Sequence, residues 1–244
     1  MVATATLLLG RVDILINNAG IITVGPVENQ PLGAFRAAME SNYFGMVQAT
    51  LAVLPQMLAR SERGGRADAG AIVNIASIGG KVSVPHLLPY SASKFAAVGW
   101  SQGLRAELRS KGIRVTTVCP GLMRTGSPGK ALFVGDREKE YRWFHLSASL
   151  PLVACSAGHA ARQILRAVET GKGEIAITAQ AAVAARLAQV APEITSALLS
   201  AVNTLVLPAP THGNREPLPG DQNSRKAVSA LTVLGDRAAT HWNQ

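Results

Sequence analysis

Four short apolar runs, spaced by stretches long enough for helices, limit this chain to a narrow set of folds. The runs cover residues 13–17, 71–77, 113–119 and 174–178. Each reads as a strand, because Ile, Val and Leu crowd together and a turn signal follows. Helices are expected over about 32–60, from Tyr90 to Ser110, and over 156–170. Lys111-Gly112 closes the second of these with a basic residue and a glycine able to take the left-handed conformation. Strand–helix alternation of this kind builds an α/β domain around a parallel sheet. The stretch from 61 to 70, rich in Gly, Arg and Asp, reads as a surface loop.

A proton-transfer pattern is laid over this frame. Ser77 ends the second strand, Tyr90 follows thirteen positions later, and Lys94 four after that. Residues four apart on a helix share a face, so the phenol and the ammonium stand one turn apart. A free phenol titrates near 10 and is a poor base at neutral pH. An ammonium beside it is expected to favour the phenolate and bring it toward working pH. Ser77 adds a hydroxyl able to hydrogen-bond a carbonyl or alkoxide oxygen. A tyrosine and a lysine at this spacing occur by chance in many helices, so the surrounding residues matter. Asn17-Asn18-Ala19-Gly20 ends the first strand, Asn42 falls inside the first long helix, and Pro120-Gly121 ends the third strand, with Thr125 just beyond.

This ordered set resembles the short-chain dehydrogenase/reductase family, over roughly residues 12–178. The resemblance implies a doubly wound, Rossmann-like sheet of which about four strands, the second half, are present here. It implies an oxidoreductase that moves a hydride between NAD or NADP and a hydroxyl or carbonyl group of a small-molecule substrate. Tyr90 would be the general acid/base, Lys94 would lower its pKa and hold the nicotinamide ribose, and Ser77 would polarise the substrate carbonyl. Asn42 would hold a water that links Lys94 to solvent. Asn17, Asn18, Ala19 and Gly20 would steady the sheet and line the adenosine side of the cofactor. Pro120, Gly121 and Thr125, with Tyr90 and Lys94, would border the nicotinamide. The helices near 32–60 and 90–110 would join two copies of the chain.

The sequence departs from the family at its front. Members begin with a strand, a glycine-rich turn of the TGxxxGxG type and a helix, followed by further strand units before the Asn-Asn-Ala-Gly turn. Here Asn17 lies sixteen residues after Met1, and the only glycine before Gly20 is Gly10. Those missing glycines let the backbone approach the pyrophosphate at a helix N-terminus. A truncated chain or a fragment is therefore expected, with weak dinucleotide binding and the strand at 13–17 left as an apolar sheet edge. Two rival readings follow: a catalytically silent remnant, and a non-enzymatic interaction protein that uses its two long helices.

Composition narrows the alternatives. The net charge of +9 invites nucleic acid, but the basic residues are scattered from Arg11 to Arg237 without a binding motif. Two cysteines, Cys119 and Cys155, build no disulfide framework, and the five histidines show no metal-ligand spacing. No metal is expected, and a reducing cytoplasm suits this usage. Residues 1–10 lack the basic flank of a signal peptide. The apolar stretch 181–207 is broken by Arg186, Gln189, Pro192 and Glu193, which argues against a membrane span.

Three further segments carry expectations. Phe133, Tyr141, Trp143 and Phe144 crowd into 122–150, where the resemblance implies a substrate lid and an apolar substrate; a helix packed on the body is the equal alternative. His86, one turn's worth of residues before Tyr90, could touch substrate, though a loop histidine is the simpler reading. Residues 1–180 read as the catalytic domain and 181–207 as a helical extension. The extension's stripe of Ile194, Leu198, Val202 and Leu205 is expected to pack on the domain or a partner. Residues 208–244, with prolines at 208, 210, 217 and 219, read as a flexible polar tail.

Overall fold

The computed structural model describes residues 1–64, 69–150, 154–211, 213–223, 237–238 and 240–241. A short helix, α1 (Val2–Leu9), leads into β1 (Ile14–Asn17), β2 (Thr23–Val24), α2 (Leu32–Met39) and α3 (Gly45–Glu62). Next come β3 (Gly70–Ile75), the long helix α4 (Leu88–Leu108) and β4 (Ile113–Cys119). Short pieces follow: β5 (Met123–Arg124), α5 (Ser127–Lys130) and β6 (Leu132–Phe133). They lead to α6 (Arg137–Ser149), β7 (Cys155–Ser156), α7 (Ala157–Glu169) and β8 (Glu174–Ala176). The chain then forms α8 (Ala179–Val190), α9 (Pro192–Leu205), β9 (Leu218–Pro219) and α10 (Gly220–Asn223).

The four apolar runs form one parallel sheet in the order β1-β3-β4-β8. Side chains alternate across it and feed two cores, as strand geometry requires. On one face Leu15, Ile72, Ile113 and Val115 meet Val53 and Met57 of α3 and Leu104 and Leu108 of α4. On the other, Ala71, Val73, Ile75 and Val118 meet Ala160 and Val168 of α7. Helices on both faces make the three-layered α/β fold that the alternation predicts. Among the described residues β1 is an edge of this sheet, with Ile14 and Ile16 half-exposed beside buried Leu15. No helix among the described residues is long and apolar enough to cross a membrane.

A polar row crosses the sheet. Asn17, Asn74 and Thr117 are register partners on β1, β3 and β4. The Asn17 amide donates to Asn74 Oδ1 at 2.9 Å and to Thr50 Oγ1 at 3.2 Å. Asn74 donates in turn to Ser101 Oγ on α4 at 3.0 Å, and Thr117 donates to the same hydroxyl at 2.7 Å. Buried polar groups are tolerable only when satisfied, and this row satisfies them across three strands and two helices.

Three details differ from the sequence reading. The single helix expected over 32–60 is interrupted by a π-helical turn, Glu40–Phe44, which carries buried Asn42. Such wider turns reorient one or two side chains that a regular helix would place elsewhere. The stripe of Ile194, Leu198, Val202 and Leu205 on α9 faces outward and is exposed, so it does not pack on the domain. Finally, the segment read as a flexible tail is tied down over 208–211 and 213–223, residue 212 lying outside the described residues. Asn29 Nδ2 donates to Thr211 O at 2.7 Å, Asn214 Nδ2 donates to Gly135 O at 2.6 Å, and β9 pairs antiparallel with β6. Pro219 is the last residue of this two-residue strand and Pro217 directly precedes it, in keeping with the confinement of proline to strand ends and edges. The rest of that tail, residues 224–236, 239 and 242–244, and residues 65–68 of the loop expected at 61–70, lie outside the described residues.

Candidate active site

Ser77 stands two residues beyond the end of β3, where the chain enters a tight turn at Ile78–Gly80. Its hydroxyl accepts from Gly79 N at 3.0 Å, and Ile78 N donates to Pro120 O at 2.8 Å, so the loops after β3 and β4 are bound together. The Ser77 hydroxyl lies near enough to the Tyr90 phenol to act against the rise of its pKa. Two glycines make that approach possible. A Cβ on Gly79 would meet the Tyr90 ring at 3.1 Å, and one on Gly80 would lie 2.5 Å from Lys94 O. The serine loop therefore presses directly on the helix that carries the tyrosine and the lysine.

Tyr90 and Lys94 occupy α4 one turn apart, as their spacing predicts. Lys94 is 4 % exposed, and its Nζ lies 5.7 Å from the centroid of the Tyr90 ring and donates to Ile75 O at 2.8 Å. The expectation that Lys94 lowers the phenol's pKa is corrected here. Burial raises the Tyr90 pKa above its ordinary value, against the lowering effect of the Ser77 hydroxyl. Burial also brings Lys94 down from 10.5 to about 8, because little compensates its lost hydration. Cys119, buried behind the pair, has its thiol pushed up to about 11 by the same desolvation and stays protonated at neutral pH. Tyr90 is thus held as a neutral acid beside a lysine that is still largely charged at pH 7.

Asn42 is fully buried and serves as a clamp. Its Oδ1 accepts from Ile21 N at 2.7 Å, while Nδ2 donates to Ile21 O at 3.0 Å and to Ser93 Oγ at 2.8 Å. Ser93 in turn donates to Tyr90 O at 2.7 Å. Asn42 therefore links the turn after Gly20 to the tyrosine helix, and its amide has no donor left for the water that the resemblance implied. Gly20 lies against this clamp, since a Cβ there would meet Asn42 Oδ1 at 2.8 Å and Lys94 Nζ at 3.6 Å. Ser93 was not singled out in the sequence. Its position three residues after Tyr90, on the flank of the shared face, is the signal that could have found it.

The other expected residues divide. Asn17 spends its amide inside the sheet, whereas Asn18, Ala19 and Gly20 are exposed at the end of β1. Gly121 abuts Thr178, whose hydroxyl caps α8 by accepting from Ala181 N at 3.2 Å. Thr125 shares a hydrogen bond with Ser127 at 2.7 Å in the turn that opens α5. Of the aromatic cluster, Phe133 and Phe144 are buried with Leu87 and Val24, and Tyr141 and Trp143 pack on them. Among the described residues no group of His, Cys, Asp and Glu could hold a metal.

The arrangement fits part of a dinucleotide. An ammonium has three N–H donors, and Lys94 spends one of them, among the described residues, on Ile75 O, leaving two for the hydroxyls of a ribose. The residues present therefore suit the nicotinamide-ribose end, and the 244 residues contain no glycine-rich turn of the TGxxxGxG type for the pyrophosphate.

The family described as short chain dehydrogenase matches residues 1–131. The chain is 44% identical over 116 residues to dehydrogenase/reductase SDR family member 7B of Mus musculus, covering 48% of this chain and 34% of that protein. It is 42% identical over 117 residues to a 3-ketodihydrosphingosine reductase of Bacteroides thetaiotaomicron, covering 48% and 41%. The chain thus spans roughly a third to two fifths of the curated relatives it matches. Among solved structures, a short-chain dehydrogenase from Streptomyces avermitilis superposes with a TM-score of 0.67 at 31% identity, covering 83% of this chain and 74% of that one. One from Burkholderia cenocepacia, solved in complex with NADP, gives 0.63 at 31% identity, covering 81% and 73%.

Proposed function

This chain belongs to the short-chain dehydrogenase family, and from that premise we propose that it moves a hydride between NAD or NADP and a hydroxyl or carbonyl group of a small, mainly apolar molecule. The observation that carries this reading is the packing of the Ser77 loop on the Tyr90 ring, with Lys94 one turn along the same helix and its Nζ 5.7 Å from that ring.

The nicotinamide, when bound, supplies or accepts the hydride. Lys94 would hold its ribose, Pro120, Gly121 and Thr125 would border its ring side, and Asn18, Ala19 and Gly20 would line the adenosine side. Ser77 donates to the substrate oxygen and polarises the carbonyl. Tyr90, kept neutral by burial, gives its proton to that oxygen as charge develops there. Asn42 and Ser93 fix the helix that carries Tyr90 and Lys94.

The phenol holds its proton at neutral pH, as a donor to a carbonyl under reduction must. Exposed Phe44, Leu51 and Phe95, on the helices flanking this site, support contact with a second copy of the chain. The free thiols of Cys119 and Cys155 suit a reducing compartment such as the cytoplasm. The test is loss of reduced nicotinamide absorbance with a panel of apolar ketones. Turnover that requires both ketone and cofactor supports the reading, and tight cofactor binding without turnover of any carbonyl would favour a catalytically silent protein.

A further inference from the structure

His86 is the one non-glycine residue among those described with a left-handed backbone, φ 64°, and it sits four residues before Tyr90. Its ring is 5 % exposed and fixed on one side, with Nδ1 2.8 Å from Oε1 of Glu140 on α6. Glu140 is fully buried, and its second oxygen accepts from Trp143 Nε1 at 2.6 Å. A carboxylate only accepts, so the tautomer with the proton on Nδ1 satisfies this pair. In that tautomer Nε2 is an acceptor, and it takes no hydrogen bond among the described residues. The backbone is anchored as well, because His86 O accepts from Gly25 N at 2.8 Å. A buried carboxylate is costly unless donors surround it, and here it orients an imidazole whose other nitrogen remains unspent.

His86 also lines a cavity of about 800 Å³ between the loop that leads into α4 and the helix α9. Val82, Pro85 and Leu199 give it apolar walls, and Thr195 and Ser200 add hydroxyls from α9. The volume matches that of sites for small molecules, which combine apolar walls with a few fixed polar groups. Resting on the oxidoreductase reading above, we propose that this cavity binds a mainly apolar molecule bearing a hydroxyl group, and that Nε2 of His86, oriented by Glu140, accepts a hydrogen bond from that hydroxyl. His86 then selects for a hydroxyl that the substrate carries apart from its reacting oxygen, and α9 is the wall that receives the apolar chain.

The test is calorimetric binding of decan-2-ol, butan-2-ol and 2-methoxydecane to the full chain, with no cofactor and no turnover required. The native chain is expected to bind decan-2-ol at least about tenfold more tightly than butan-2-ol, and about fivefold more tightly than the ether, which has no proton to donate. Leu199→Trp fills the cavity from α9 and should weaken decan-2-ol at least about tenfold with an unchanged melting temperature. His86→Asn suits the positive φ yet removes Nε2, the shorter amide having no acceptor at that position, and it should erase the preference for alcohol over ether. Equal affinity of the native chain for alcohol and ether, or full binding by Leu199→Trp, would overturn the proposal, and the latter decides even if His86→Asn folds poorly. Alcohol binding as described without cofactor-dependent turnover would sink the oxidoreductase reading alone. Turnover that ignores Leu199→Trp would sink this inference alone.

Discussion

The side-chain amide of Asn42 donates to the Ser93 hydroxyl at 2.8 Å, and that hydroxyl donates to the backbone carbonyl of Tyr90. One fully buried residue in a π-helical turn thereby fixes the helix that carries the proposed acid. Asn42→Ala leaves Ser93 Oγ and both polar groups of Ile21 without their partner. Turnover should fall about tenfold or more with little change in KM, because alignment of the phenol is lost and substrate contacts remain. A purely structural role would lower the melting temperature and leave kcat per folded molecule unchanged.

Two glycines on either side of this site should respond in opposite directions. Alanine at Gly80 would place its Cβ 2.5 Å from Lys94 O, against backbone that cannot yield. Gly80→Ala should therefore cost about 1–3 kcal/mol. Gly103, exposed near the end of α4, has open space around it. Gly103→Ala should stabilise by about 0.5–1 kcal/mol through helix propensity. Urea melts of the two variants check both signs.

The polar row behind the sheet makes a third expectation. Asn74→Ala removes the acceptor of Asn17 and one partner of Ser101 in a dry interior. Leaving such groups unmet costs about 1–3 kcal/mol. Thr117→Val should cost less, since Ser101 keeps its bond from Asn74. Chemical denaturation of both variants gives the comparison, and equal losses would contradict it.

Lys94 gives a pH signature. Its folded pKa, about 8, lies below its ordinary 10.5, so the unfolded chain binds more protons between those values and stability rises with pH through that window. Below about pH 8 the whole cost of burying the charge is present. Relative to Lys94→Met, the native chain should gain about 3 kcal/mol as pH rises from 7 to 10.5. A constant difference across that range would show that the ammonium is not desolvated as described.

Much of this was legible in the sequence. The four strands and the helices of the sheet came from apolar runs and turn signals, because a parallel sheet covered on both faces needs continuous Ile and Val. Ser77, Tyr90 and Lys94 came together because strand end and helical spacing fix them locally. What the sequence hid depends on distant partners. The anchoring of 208–211 and 213–223 rests on Asn29 and Asn214 bonding across the fold, and the pairing of His86 with Glu140 joins residues 54 apart. Asn17 reads as a turn residue, yet its amide is committed to Thr50 and Asn74. The sign of the Tyr90 shift was missed because spacing reveals a neighbouring charge and not how deeply both groups are desolvated.

The most direct measurement is steady-state reduction of an apolar ketone by the full chain and by Tyr90→Phe, with cofactor affinity measured separately on both. Loss of the phenolic proton should slow turnover by about 10²–10⁴-fold, with cofactor affinity and melting temperature unchanged. Turnover by Tyr90→Phe within a factor of about three of the native chain would contradict the assignment of Tyr90 as the proton donor, and with it the account of this site.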